Sequence, residues 1–293
     1  MGGPYSLGSH FNNSPFPVTA SSSISSASLG IIAGSGTYPF ALARAARAAG
    51  VPRLVAAAFE NETDPALAGL VDEIEWMRVG QLGRLIKTFS SRKVEQVIMV
   101  GQIAPGNLFD LRPDLKAFLI LAKLRERNAE SIFGAIGDEL AKAGVTLLPA
   151  TTFMEEHLAG AGVFAGPRLS RREEGDVRFG FGIAKEISRL DIGQTVVVKG
   201  GTVLAVEGFD GTNATIKRGG QLGKGDSVVV KVSKPNQDFR FDVPVIGPAT
   251  LETAAGAQIR VIAVEAGRTL VLERERVTEM AAQLKVSLFG LEA

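Results

Sequence analysis

Between Glu207 and Asp242 the chain concentrates side chains that handle charge. The stretch "VEGFDGTNATIKRGG" sets Glu207 at the end of an apolar run, with Asp210 placed to cap a following helix. Gly211, Thr212 and Asn213 then open that helix, and an exposed helix N-terminus favours anions. Further on, "KVSKPNQDFRFDVPVIGP" carries Lys231, Lys234, Asp238, Arg240 and Asp242. Residues 217–242 hold six basic and three acidic side chains. Carboxylates that ligate a cation beside lysines and arginines that neutralise phosphate fit metal-assisted phosphate chemistry. On an extended segment Asp238, Arg240 and Asp242 would share one face. The alternative is a capped helix and a solvated loop with surface ion pairs.

A second group lies near the amino terminus. "IIAGSGTYP" is a glycine-rich turn, Gly34-Ser35-Gly36, after an apolar run. Such a turn lets backbone N–H groups approach a phosphate, or is simply a tight strand-to-helix connection. It is neither the full dinucleotide fingerprint nor a P-loop, because Tyr38-Pro39 follows where a third glycine or a Gly-Lys-Ser would stand. "MVGQIAPGN" follows another apolar run and offers Gln102 and Asn107 for a sugar or base.

Composition narrows the chemistry. The chain has no cysteine and two histidines, His10 and His157, so thiolate and multi-histidine metal sites are excluded. Any metal would have oxygen ligands, which favours Mg2+ or Mn2+. A net charge of +1 over 293 residues gives no electrostatic case for nucleic acid. No stretch is long and apolar enough to span a membrane.

The elements that must position these residues follow from hydrophobic patterning. Residues 1–28 are Ser-rich, lack Lys and Arg, and read as a disordered tail. From Leu29 to 158, apolar runs ("LGIIA", "RLVAAAF", "EIEWMRV", "VEQVIMVG", "VTLLPA") alternate with helical spacings, the latter including 113–126 and 129–144. That alternation predicts a parallel sheet with helices on both faces. The Gly-rich stretch 159–176 reads as a linker. Residues 177–293 predict a second, smaller mixed α/β unit. In it, "VIAVEAGRTLVLERE" is a hairpin signal turning at 266–268, which could bring Glu265 and Arg268 to the same site.

Several segments together resemble one family. "LGIIAGSGTYP", "IMVGQIAP", "RLDIGQTVVVKGGTVLAVEGFDGTNATIKRGG", "KPNQDFRFDVPVIGP" and "VIAVEAGRT" occur in order over residues 29–290. They resemble the two-domain UDP-2,3-diacylglucosamine pyrophosphatases of lipid A biosynthesis. The resemblance implies a Rossmann-like N-terminal domain, a family-specific C-terminal catalytic domain and a divalent cation, Mg2+ or Mn2+. It implies hydrolysis of UDP-2,3-diacylglucosamine to 2,3-diacylglucosamine 1-phosphate (lipid X) and UMP, with water attacking the β-phosphorus. It also implies a homodimer, peripheral at the cytoplasmic face of the inner membrane. Asp242 matches the family's key aspartate, as metal ligand or water-orienting group, with Glu207 as a second metal ligand. Asp210 and Lys234 join Asp242 as catalytic candidates. Gly34, Ser35, Gly36, Gln102, Thr212, Asn213, Arg218 and Arg268 are the substrate-binding candidates. Two departures point to altered substrate or activity: Asn213 stands where most members have Asp, and Asn128-Ala129-Glu130 replaces a "GDD"-like segment. Hydrolysis of another UDP-sugar, or non-catalytic binding of a nucleotide-sugar or glycolipid, are the alternative readings.

Overall fold

The computed structural model of the chain describes residues 27–103, 113–124, 129–235 and 237–292. Residues 1–26 of the expected tail, Asn107 and Asn128 lie outside the described residues, and Ser28 is buried.

Strand β1 (Leu29–Ala33) is buried throughout, as expected of an uninterrupted apolar run. It pairs in parallel with β2 (Leu54–Phe59) on one side and β4 (Gln96–Val100) on the other. Strands β3 (Glu73–Met77) and β5 (Thr146–Leu147) complete a parallel sheet of order β3-β2-β1-β4-β5. Helices α1 (Tyr38–Ala48), α2 (Leu82–Ser91), α3 (Leu115–Lys123) and α4 (Ala129–Lys142) connect these strands. Successive side chains of β1 point to opposite faces. Ile31 packs with Leu42 and Ala46 of α1, whereas Ile32 packs with Leu85 and Phe89 of α2. The strand order reverses at β1, which opens a crevice beyond the carboxyl ends of β1 and β4.

The second sheet has six strands: β6 (Gly162–Ala165), β13 (Ser287–Leu291), β11 (Ile259–Glu265), β9 (Ser227–Lys231), β7 (Thr195–Lys199) and β8 (Thr202–Val206), in that order. It mixes parallel and antiparallel pairs. Helix α5 (Arg171–Arg189) covers one face, through Val177 and Ala184 against Val196, Val228 and Ala263. Helices α6 (Gly211–Gly223), α7 (Pro248–Gly256) and α8 (Arg274–Gln283) cover the other, through Ile216, Leu251 and Val277. The α/β class, with a parallel first sheet and a mixed second one, is as expected.

Two expectations are corrected. The stretch 159–176 is no linker: it holds β6, paired antiparallel to β13, and the first turns of α5. That helix starts at Arg171 because Ser170 and Glu173 form a capping box, Glu173 N–H donating to Ser170 Oγ (3.3 Å) and Ser170 N–H to Glu173 Oε2 (2.6 Å). Nor is 261–275 a hairpin. Both edges of β11 are taken, by β9 and β13. The chain therefore leaves the sheet at 266, and β12 (Leu270–Val271) pairs in parallel with β10 (Val245–Ile246) instead. Leu270, Leu272 and Val245 pack into the core around α1, so this small ribbon fastens the second unit to the first. Among the described residues no helix is long and apolar enough to cross a membrane.

Candidate active site at the domain cleft

The loops leaving β1 and β4 meet at the switch point. Ser35 N–H donates to Gln102 O (2.7 Å), Gln102 N–H returns to Ser35 O (3.1 Å), and Gly34 N–H donates to Val100 O (2.8 Å). Ser35 Oγ also donates to Gln102 O (2.8 Å). A Cβ at Gly34 would lie 2.5 Å from Gln102 O, so the glycine is there for close approach. Gly34 and Ser35 thus use these groups to join the loops. Gly36, at φ +89°, and Gln102 line the cavity beyond.

That cavity, about 660 Å3, is walled by both units. Four helices begin on it: α1 through Gly36 and Thr37, α6 through Asp210 to Asn213, α7 through Gly247 to Thr250, and α8 through Glu273 and Arg276. None of their N-cap residues Thr37, Asp210, Gly247 and Glu273 caps its helix with a side chain. Elsewhere Asp114 and Ser170 do cap. The plain-capping expectation for Asp210 therefore fails. Its carboxylate accepts from Gly208 N–H (3.2 Å) and pairs with Arg218 (2.5 Å). The Arg218 guanidinium holds the Asp210 carboxyl below the usual carboxylate range. Arg218 also donates to Val206 O (2.8 Å), so it clamps the turn at the rim. The four N-termini present positive dipole ends and backbone N–H groups to one space, which suits a polyanion.

Deeper in, Glu207 is buried at the end of β8. Its Oε1 accepts from Thr212 Oγ1 (2.7 Å) and its Oε2 from Gln194 N–H (3.2 Å). Lys231, the last residue of β9, lines the cavity and donates to Val245 O (3.3 Å). Burial pulls its ammonium below the ordinary lysine range, against the attraction of the Glu207 and Asp242 carboxylates. Burial also pushes the Asp242 carboxyl above the usual range, opposed by Lys234, Gln237 and Lys231 and reinforced by Asp191. Lys234 ion-pairs with Asp191. Thr212 and Lys231 thus stand on the cavity lining, whereas Glu207, Asp242 and Lys234 are not on it and connect to it through the Thr212 hydrogen bond and the electrostatic coupling of Lys231 with Glu207 and Asp242, and of Asp242 with Lys234.

Other expected residues lie apart. Residues 238–242 form a turn, with Phe241 N–H (3.2 Å) and Asp242 N–H (3.0 Å) both donating to Asp238 O. Asp238, Arg240 and Asp242 therefore do not share an extended face, and Arg240 pairs with Asp238 (2.6 Å). Arg268 donates to Ser233 Oγ (3.3 Å) and lies over the Phe239 ring, behind the loop that carries Asp242. His157 sits in a short 3-10 turn, Glu155–His157. The sequence placed Lys231 in the charged stretch but it was not among the catalytic or substrate-binding candidates, although a lysine closing the apolar run "SVVV" was the available sign. Arg276 and Glu252, which also line the cavity, were missed entirely and carry no local pattern.

Among the described residues no three His, Asp or Glu side chains are grouped to hold a metal ion. Glu207 already accepts hydrogen bonds at both oxygens. Mg2+ commonly takes one or two carboxylates with waters and substrate phosphates, so Asp242 beside an anion-binding cleft fits that mode and a preformed cage does not.

Two family models match the chain: the LpxI N-terminal domain over residues 28–157 and the LpxI C-terminal domain over residues 160–289. Over 279 residues the chain is 32% identical to the UDP-2,3-diacylglucosamine pyrophosphatase LpxI of Caulobacter vibrioides, covering 90% of this chain and 97% of that protein.

Proposed function

The chain belongs to the LpxI family, and from that premise we propose that it hydrolyses UDP-2,3-diacylglucosamine to lipid X and UMP in lipid A biosynthesis. The observation that carries this reading is the cleft itself: four helix N-termini, none capped by the side chain of its own N-cap residue, converge where Lys231 stands near two carboxylates. A pyrophosphate seated there meets backbone N–H groups from α1, α6 and α7. Lys231 and Lys234 meet the charge that develops on its oxygens as the anhydride breaks. Asp242 holds the attacking water in line with the β-phosphorus, and UMP leaves. Asp242 is also the residue that would hold Mg2+ or Mn2+, which supplies charge neutralisation at the phosphate oxygens. Glu207 keeps Thr212, and with it the start of α6, in register. A homodimer at the inner membrane's cytoplasmic surface completes the proposal. The exposed Leu115, Phe118 and Leu119 of α3 support contact with acyl chains or a lipid surface.

The test is incubation of the purified protein with UDP-2,3-diacylglucosamine and Mg2+ or Mn2+, with UMP release as the readout. Asp242→Ala is expected to abolish release while the circular dichroism spectrum stays that of the wild type. Binding without release would refute hydrolysis. Release only from water-soluble UDP-sugars would refute the substrate.

A further inference from the structure

Glu265, at the carboxyl end of β11, is wholly buried. Its Oε2 accepts from Ser233 N–H (2.5 Å) and from Ser233 Oγ–H. Its Oε1 forms an ion pair with Lys185 of α5, Nζ to oxygen 2.6 Å, rather than an aligned hydrogen bond. The same Lys185 ammonium donates to Ser233 O (3.0 Å). The pair therefore grips both backbone groups of one residue. Ser233 is where the chain leaves the sheet after β9 and starts the loop that carries Lys234, Gln237 and Asp242. That loop is pegged again downstream: Ala150 N–H donates to Phe239 O (2.8 Å), and Arg268, bonded to Ser233 Oγ, lies 5.7 Å from the Phe239 ring centroid.

A buried carboxylate is costly to desolvate, and an apolar side chain would serve β11 equally well as packing. We infer that Glu265, with Lys185, is a positioning residue that sets the Asp242 loop through Ser233, an inference resting on the function proposed above. It acts on the geometry of attack rather than on the cleft walls built by the helix N-termini. Misplacing a catalytic group by about 1 Å costs on the order of a hundredfold in rate.

The test compares Glu265→Leu with Glu265→Gln, which keeps an acceptor for Ser233 but loses the charge. For Glu265→Leu, kcat should fall about a hundredfold with KM within about threefold, because only the loop moves. Glu265→Gln should recover to within about tenfold of the wild type, since charge-assisted bonds are roughly twice as strong as neutral ones. Hydrogen exchange should rise in the same order, confined to residues 233–242. Wild-type kcat in Glu265→Leu, or exchange rising uniformly along the chain, would overturn the inference. If that variant fails to fold, Glu265→Gln decides alone: unchanged kcat and unchanged exchange sink the idea. If the wild type releases no UMP, the proposed function falls, while the exchange measurement still decides whether Glu265 anchors the loop.

Discussion

Replacing Gly34 by alanine tests whether the cleft depends on the two loops at the switch point being locked together. An added Cβ would sit 2.5 Å from Gln102 O and 2.9 Å from both Gln102 N and Gly101 C, all of them backbone atoms that cannot swing aside. An ordinary carbon–oxygen contact is about 3.3 Å or more, so the loops must part by roughly 0.8 Å. The two backbone bonds between Ser35 and Gln102, at 2.7 and 3.1 Å, would then be stretched past bonding range. Two lost hydrogen bonds at about 1 kcal/mol each, with about 1–3 kcal/mol of overpacking, give a loss of about 3–5 kcal/mol. At about 2–4 °C per kcal/mol the melting temperature should fall by roughly 6–20 °C. In a titration of UMP release, KM should rise more than kcat falls, because Gly36 and Gln102 line the cleft. Gly36→Ala is the contrast: no atom lies within 4 Å of its Cβ, so only the φ of +89° costs, about 1–2 kcal/mol. A Gly34→Ala protein with wild-type melting temperature and KM would show that the cleft does not depend on the locked loops.

Lys231→Met removes the cation near Glu207 and Asp242, and kcat should drop at least about a hundredfold in a protein that still shows wild-type circular dichroism; a loss under threefold would remove Lys231 from the site. Asn213→Asp adds a carboxylate to the cleft, and the Mg2+ concentration for half-maximal UMP release should fall about threefold to tenfold. An unchanged requirement would return Asn213 to a purely structural role. Asp176→Ala takes the acceptor from the N–H groups of Gly200 and Gly201, each at 2.7 Å, in the turn between β7 and β8. Thermal denaturation should show a loss of about 2–4 kcal/mol with kcat and KM unchanged.

Much of the fold was legible because burial was written into continuous apolar runs. "LGIIA", "VEQVIMVG" and "SVVVKV" have little use other than strands covered on both faces. The failures came where partner availability overrode local pattern. "AGAGVFAG" looks like a linker, yet its Val-Phe core finds the free edge of β13. "AVEAGRTLVL" looks like a hairpin, yet no free edge awaited it. The site was half legible for the same reason. Glu207, Thr212, Lys234 and Asp242 sit in two short segments whose composition draws attention. That Thr212 and Lys231 share one cavity with Gly36 depends on the β10–β12 ribbon packing on the α1 core, a long-range event that no window of sequence contains. Arg218 and Arg240 looked like phosphate ligands by type, but each has an aspartate beside it.

In the proposed reaction, water held by Asp242 attacks the β-phosphorus of UDP-2,3-diacylglucosamine beside this cleft. Hydrolysis in 18O-labelled water, followed by mass spectrometry of both products, tests it most directly. The label is expected in the sugar 1-phosphate and not in UMP, with no product from Asp242→Ala. Label in UMP would contradict the attack at the β-phosphorus, and undiminished labelling in Asp242→Ala would contradict the role given to Asp242.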